Sequence, residues 1–266
     1  AYYRLSWLDK VGSELKGLIA KAVKYSDKVS QKEKYYIKSR EAWISGNYTQ
    51  AIKELQKIVE HYPDEKVAFF VIGNIYSNLS QFGEAVRYLN KAIEIDPLYK
   101  SAYNMLAYTY NDMEDFEKSI WAINKYISIA PHEANPYDTR GDLYARNGKL
   151  DQAIESYKKA LEIKPDFDWS LVKLGDMYLF KREYVKAESC YKEFSSSAEK
   201  NKRSHGRTRL AHITLYRGKF GKALEALDDG IAADRMEQAE GWENADKHFL
   251  KAIIYEEKKN LDLALK

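Results

Sequence analysis

One cysteine in 266 residues, Cys190, leaves no partner for an internal disulfide and no thiolate cluster for a metal. That usage fits a reducing compartment, and the expected location is the cytoplasm. No uninterrupted apolar run reaches the roughly 18 residues of a membrane-spanning helix. The opening "AYYRLSWLDK" lacks the apolar stretch of a secretory signal. It begins on Ala1 rather than Met, as expected of a segment cut from a longer chain. Formal charges nearly cancel at +3, which removes any global electrostatic case for nucleic acid or an anionic membrane. Proline is scarce as well, with five in the chain, and their placement is the first positive signal.

Pro63, Pro97, Pro131 and Pro165 lie 34 residues apart. The same step connects small residues (Gly73, Ala107, Gly141, Gly175), tyrosines three positions later (Tyr76, Tyr110, Tyr144, Tyr178) and a second small set (Ala85, Ser119, Ala153, Ala187). Large apolar residues fall between them at Phe82, Phe116, Leu150 and Tyr184, and Leu89, Ile123, Tyr157 and Tyr191 follow the second small set. One step upstream the ruler finds Ser39, Ala42, Tyr48, Ala51 and Leu55, giving five units that start at 32, 66, 100, 134 and 168. Within a unit the apolar spacing is helical: Tyr137, Gly141 and Tyr144, then Ala153, Tyr157 and Ala160. "RNGKLDQ" between them reads as a turn at Gly148 with Asp151 as the next helix's N-cap. Each unit is thus a helical hairpin, with helix A followed by helix B. Proline ends helix B because it cannot continue a helix interior. A single hairpin cannot bury its own apolar stripe, so neighbours must stack.

These residues resemble the tetratricopeptide repeat family, whose period and W-L-G-Y-A-F-A-P skeleton they match. The resemblance implies an all-α, right-handed superhelical solenoid. Five units in strict register are expected over 32–199. Residues 1–31 are expected to form a degenerate helical pair split near Gly12. A sixth unit at 200–244 carries Leu210, Ala211, Gly218, Phe220, Ala223 and Leu227, and a truncated seventh occupies 245–266. "AADRMEQAEGWENADK" reads as a polar helical stretch between the last two. Uncapped solenoid ends expose apolar surface, which further chain, a partner or self-association would cover. More narrowly, "KEKYYIKSREAWISGNYTQAIKELQKIVEHYPDE" is similar to the sensor-like repeats of microbial multidomain regulators, where such repeats adjoin a cyclase, kinase or DNA-binding domain.

In this family, helix A lines the concave surface, which the resemblance assigns to positions 2, 5, 6, 9, 12 and 13 of each unit. The implied groove takes Tyr36, Ile37, Arg40 and Trp43 from the first unit, Phe70, Val71 and Asn74 from the second, and Asn104, Met105, Tyr108 and Asp112 from the third. It continues with Asp138, Thr139, Asp142 and Arg146, then Trp169, Lys173, Asp176 and Phe180, then His205, Arg209, His212 and Tyr216. Aromatics beside an arginine are the usual anchors of a protein interface. Asp138, Asp142 and Asp176 suit a basic group on an extended or helical peptide. The family's grip on C-terminal carboxylates needs Lys and Asn, then Asn, then Lys and Arg on successive units. Tyr36, Arg40, Val71, Ser101 and Met105 stand there instead, so that use is disfavoured.

Other chemistry is weaker. Asp138 and Asp142 share a helix face at i, i+4, but nothing nucleophilic or glycine-rich accompanies them, and no catalysis is expected. His205 and His212 have no third ligand for zinc. Cys190 reads as a small structural residue. The basic run 199–209, "EKNKRSHGRTR", reads as a solvated loop rather than a phosphate contact, and the tyrosines as core rather than base-stacking platforms. The expectation is a non-catalytic scaffold that binds a protein or peptide, without cofactor or metal. Its rival is the sensor or regulatory region of a larger signalling protein, binding a small ligand or controlling an attached domain. RNA binding through the repeats is a third reading.

Overall fold

A computed structural model describes residues 13–239 and 242–257, and every regular element among them is helical. The first half of the expected pair over 1–31 lies outside the described residues. The chain divides into two compact units, Ala1–Pro131 and His132–Lys266. The first contains α1 (Ser13–Lys24), α2 (Gln31–Ile44), α3 (Tyr48–His61), α4 (Lys66–Asn78), α5 (Phe82–Ile95), α6 (Lys100–Asp112) and α7 (Phe116–Ile129). The second contains α8 (Asn135–Arg146), α9 (Leu150–Ile163), α10 (Asp168–Phe180), α11 (Tyr184–Ser195), α12 (Lys200–Tyr216), α13 (Phe220–Glu237) and α14 (Trp242–Glu257). Within each unit every helix packs on the next, and alternate helices such as α4 and α6, or α10 and α12, also touch.

The proline spacing has a local cause. α3, α5, α7 and α9 each stop two residues before a proline, at His61, Ile95, Ile129 and Ile163. The intervening residue is forced out of helical geometry, with φ near −135° at Tyr62, Asp96, Ala130 and Lys164, because the proline ring crowds the residue before it. The turn within each hairpin has its own signature. Gly46, Ser80, Glu114, Gly148, Arg182 and Gly218 occupy equivalent sites and all have positive φ. Caps reinforce several starts: Ser30 and Glu33 form a reciprocal capping box, and Asn47 and Asp115 accept from the backbones of Gln50 and Lys118.

Helix contact depends on the small residues. Ala51, Leu55 and Ile58 in one B helix, and Ala85, Leu89 and Ala92 in the next, are fully buried. Where helix B carries tyrosine, helix A carries glycine. A Cβ on Gly141 or Gly175 would overlap the ring of Tyr157 or Tyr191. Ser119, in an alanine position, offsets its buried hydroxyl by donating to the Ala107 carbonyl at 2.8 Å.

Three expectations are corrected. Asp151 is not an N-cap: α9 begins at Leu150 after Lys149, and Asp151 sits inside the first turn, ion-paired with Lys181. The run 199–209 is not a solvated loop. From Lys200 onward it is helix α12, because no proline stops it and its cations have acidic neighbours: Lys202 pairs with Asp168 at 2.8 Å and Arg207 with Asp234 at 2.6 Å. "AADRMEQAEGWENADK" is not one helical stretch. α13 runs through Glu237 and ends on a left-handed Gln238, and α14 begins at Trp242.

Candidate partner-binding surfaces

In the first unit, α2, α4 and α6 bring the expected groove residues to one series of helix A positions. Tyr36 and Arg40 are buried at 7% and 8% exposure and belong to the packed interior. The Arg40 guanidinium lies 4.1 Å from the centre of the Trp43 ring, a cation–π contact. Burial pulls the Arg40 pKa down to about 10. Trp43, Phe70, Asn74, Asn104 and Tyr108 are half-buried, with part of each side chain open. Phe70 meets Tyr99 edge-on at 5.4 Å. Asn74 Oδ1 accepts from Asn78 at 2.8 Å. Asn104 Oδ1 is buried with no hydrogen-bond partner among the described residues. A buried amide oxygen without a donor is costly.

The second unit is different. Asp138 and Asp142 do share a face of α8, but both carboxylates meet Lys173 from α10, whose Nζ donates to Asp138 at 2.8 Å and Asp142 at 2.9 Å. Ser170 donates to Asp138 at 2.6 Å and Tyr157 to Asp142 at 2.8 Å. Burial opposes the charge on Lys173, yet the two carboxylates outweigh it and raise the Lys173 pKa. One step on, Tyr191 donates to Asp176 at 2.6 Å and Arg209 approaches it at 3.6 Å. The acids expected to receive a partner's basic group are therefore occupied by the next repeat's own cation. Tyr157 and Tyr191 were absent from the expected site. The signal was present in "GD" at 141–142 and 175–176, the glycine 16 and the aspartate 15 residues before the tyrosine.

His205 and His212 lie along α12 with Arg209 between them. Arg209 Nε donates to His205 Nε2 at 3.2 Å. Burial first, then the charge of Arg209, pulls both histidines down to about 4, so both are neutral near pH 7. No group of three His, Cys, Asp or Glu residues suitable for a metal occurs among the described residues. Trp169 is half exposed and packs on Phe194 and His205 at 5.5 Å. Cys190 is buried in the core around Tyr191, and burial lifts its thiol to about 11.

Stacked helical hairpins with glycine–aromatic seams define a helical-repeat protein. Residues 34–65, 67–97 and 88–120 match models described as tetratricopeptide repeat, and residues 141–179 match one described as TPR repeat. Tetratricopeptide repeats therefore run through the region 34–179. No curated protein matches it in sequence. Among solved structures it is similar to MamA, with TM-score 0.51 and 24% identity over 58% of this chain and 90% of that one. It is similar to the APC/C hetero-tetramer Cut9–Hcn1 (TM-score 0.58, 17% identity, 99% of this chain and 54% of that one). It is also similar to yeast Tom70 (TM-score 0.67, 12% identity, 97% of this chain and 58% of that one). At these identities the likeness establishes the fold. No described helix is long and apolar enough to cross a membrane.

Proposed function

We propose that the chain is a non-catalytic scaffold whose α2–α4–α6 face holds a segment of a partner protein. The observation that carries this reading is the run of half-buried side chains on successive helix A positions, Trp43 backed by Arg40, then Phe70, Asn74, Asn104 and Tyr108, each with part of its surface open. An amide offers both a donor and an acceptor to a peptide main chain, and the rings supply anchoring area. This differs from the acidic groove expected for the second unit, where Lys173 and Arg209 already pair with the carboxylates. The protein-interaction role of repeat neighbours such as the Cut9–Hcn1 assembly supports the reading.

The test is quantitative capture of partners by the immobilised chain, compared with Trp43→Ala/Tyr108→Ala and with Asn104→Ala. Asn104→Ala removes the amide while leaving the rings in place. Partner recovery should fall at least about tenfold in the double variant and several-fold in Asn104→Ala, with unchanged far-ultraviolet circular dichroism. Equal recovery by folded variants rejects the face.

A further inference from the structure

The hairpin-turn edge of α10–α11 and α12–α13 carries surface features that the repeat fold does not require. Val185 is 83% exposed, and Phe180 and Tyr216, each 52% exposed, face each other at 6.3 Å. At the same two hairpin turns, Val185 lines a cavity of about 380 Å³ together with Arg182, Glu183, Tyr184, Lys186 and Arg217. The Arg217 guanidinium lies 5.5 Å from the Tyr184 ring centre. Glu183, the carboxylate in this lining, is taken by Lys186 at 2.6 Å and Lys181 at 3.5 Å. Arg182 and Arg217 have no carboxylate partner among the described residues, which leaves two uncompensated guanidinium groups. Arg182 also holds φ of +61° at a turn site where the flanking hairpins have Gly148 and Gly218, so a side chain is present there at a backbone cost of about 1 kcal/mol.

We infer that this edge docks an acidic protein segment carrying an apolar side chain. Guanidinium groups pair with carboxylates in two-pronged geometry, and exposed apolar side chains around a cationic cleft mark a protein contact. A nucleic-acid backbone would call for a longer row of cations and would leave Val185 and Phe180 unused. The edge belongs to the second unit and the α2–α4–α6 face to the first.

Fluorescence anisotropy with the purified chain tests it, using a labelled peptide of glutamates around a single phenylalanine. Saturable binding is expected. Arg182→Glu/Arg217→Glu should weaken it at least tenfold and Val185→Ser several-fold, while Trp43→Ala/Tyr108→Ala leaves it unchanged. The same peptide with lysine for glutamate should not bind. Absence of binding by the acidic peptide, equal affinity in the arginine double variant, or tighter binding of a single-stranded oligothymidine overturns the inference. A concentration-dependent dimer that the double variant abolishes in light scattering assigns the edge to self-association instead and overturns it equally.

Discussion

At the scale of single residues, the repeat depends on close matching of size between helices. Gly141 faces Tyr157, and Gly175 faces Tyr191, whereas Ala107 occupies the same place opposite Ile123. The ring needs the space that a methyl group would fill. Gly141→Ala should therefore destabilise the protein by about 1–3 kcal/mol, despite the better helix propensity of alanine. Gly141→Ala/Tyr157→Ile, which copies the third repeat's pair, should recover at least half of that loss. Urea midpoints of the three proteins measure both effects. The size alternation was legible in sequence as a 34-residue ruler. The tyrosine hydroxyl's bond to Asp142 left only the "GD" pair as a trace, because fifteen residues and a turn separate the two groups.

At the scale of elements, α12 and α14 show where reading along the chain fails. Charge density in "EKNKRSHGRTR" suggested a loop, yet the acids that neutralise it are Asp234 and Glu237 on α13, about thirty residues away. α14 brings a lysine to the same acid. Lys247 is fully buried, and its Nζ donates to Ser204 Oγ and to Asp234 Oδ2, both at 2.8 Å, and to the Ser204 carbonyl at 3.0 Å. Lys247→Ala should cost about 2–3 kcal/mol. That is below the usual penalty for breaking a buried pair, because Arg207 still holds Asp234. Lys247→Met keeps the volume and removes the charge, so it should cost far less. Hydrogen exchange across α14 should accelerate in the alanine variant and stay near wild type in the methionine variant. Equal acceleration in both would show that the charge, rather than the packing, seats the helix.

At the scale of the whole molecule, burial of neutral histidine makes stability depend on pH. His205 and His212 titrate near 4 in the folded state, against about 6.5 in an unfolded chain. Between those values the unfolded chain binds the extra protons. Stability is therefore full above about pH 6.5 and declines as pH falls toward 4, by on the order of 2 kcal/mol per histidine. Urea midpoints at pH 7.5 and 4.5 should converge in His205→Asn/His212→Asn relative to wild type. An unchanged gap would mean that carboxylates alone drive acid unfolding. The sequence by itself determined the hairpin, its period and its stop signals, because proline, glycine and alanine act on the backbone within a few residues. Tertiary structure alone decided which charges are spent internally. Asp138, Asp142 and Asp176 looked available for a partner until helix A of the next repeat placed Lys173 or Arg209 against them. Coulombic pairing depends on distance in space, and a linear order of residues does not contain that distance.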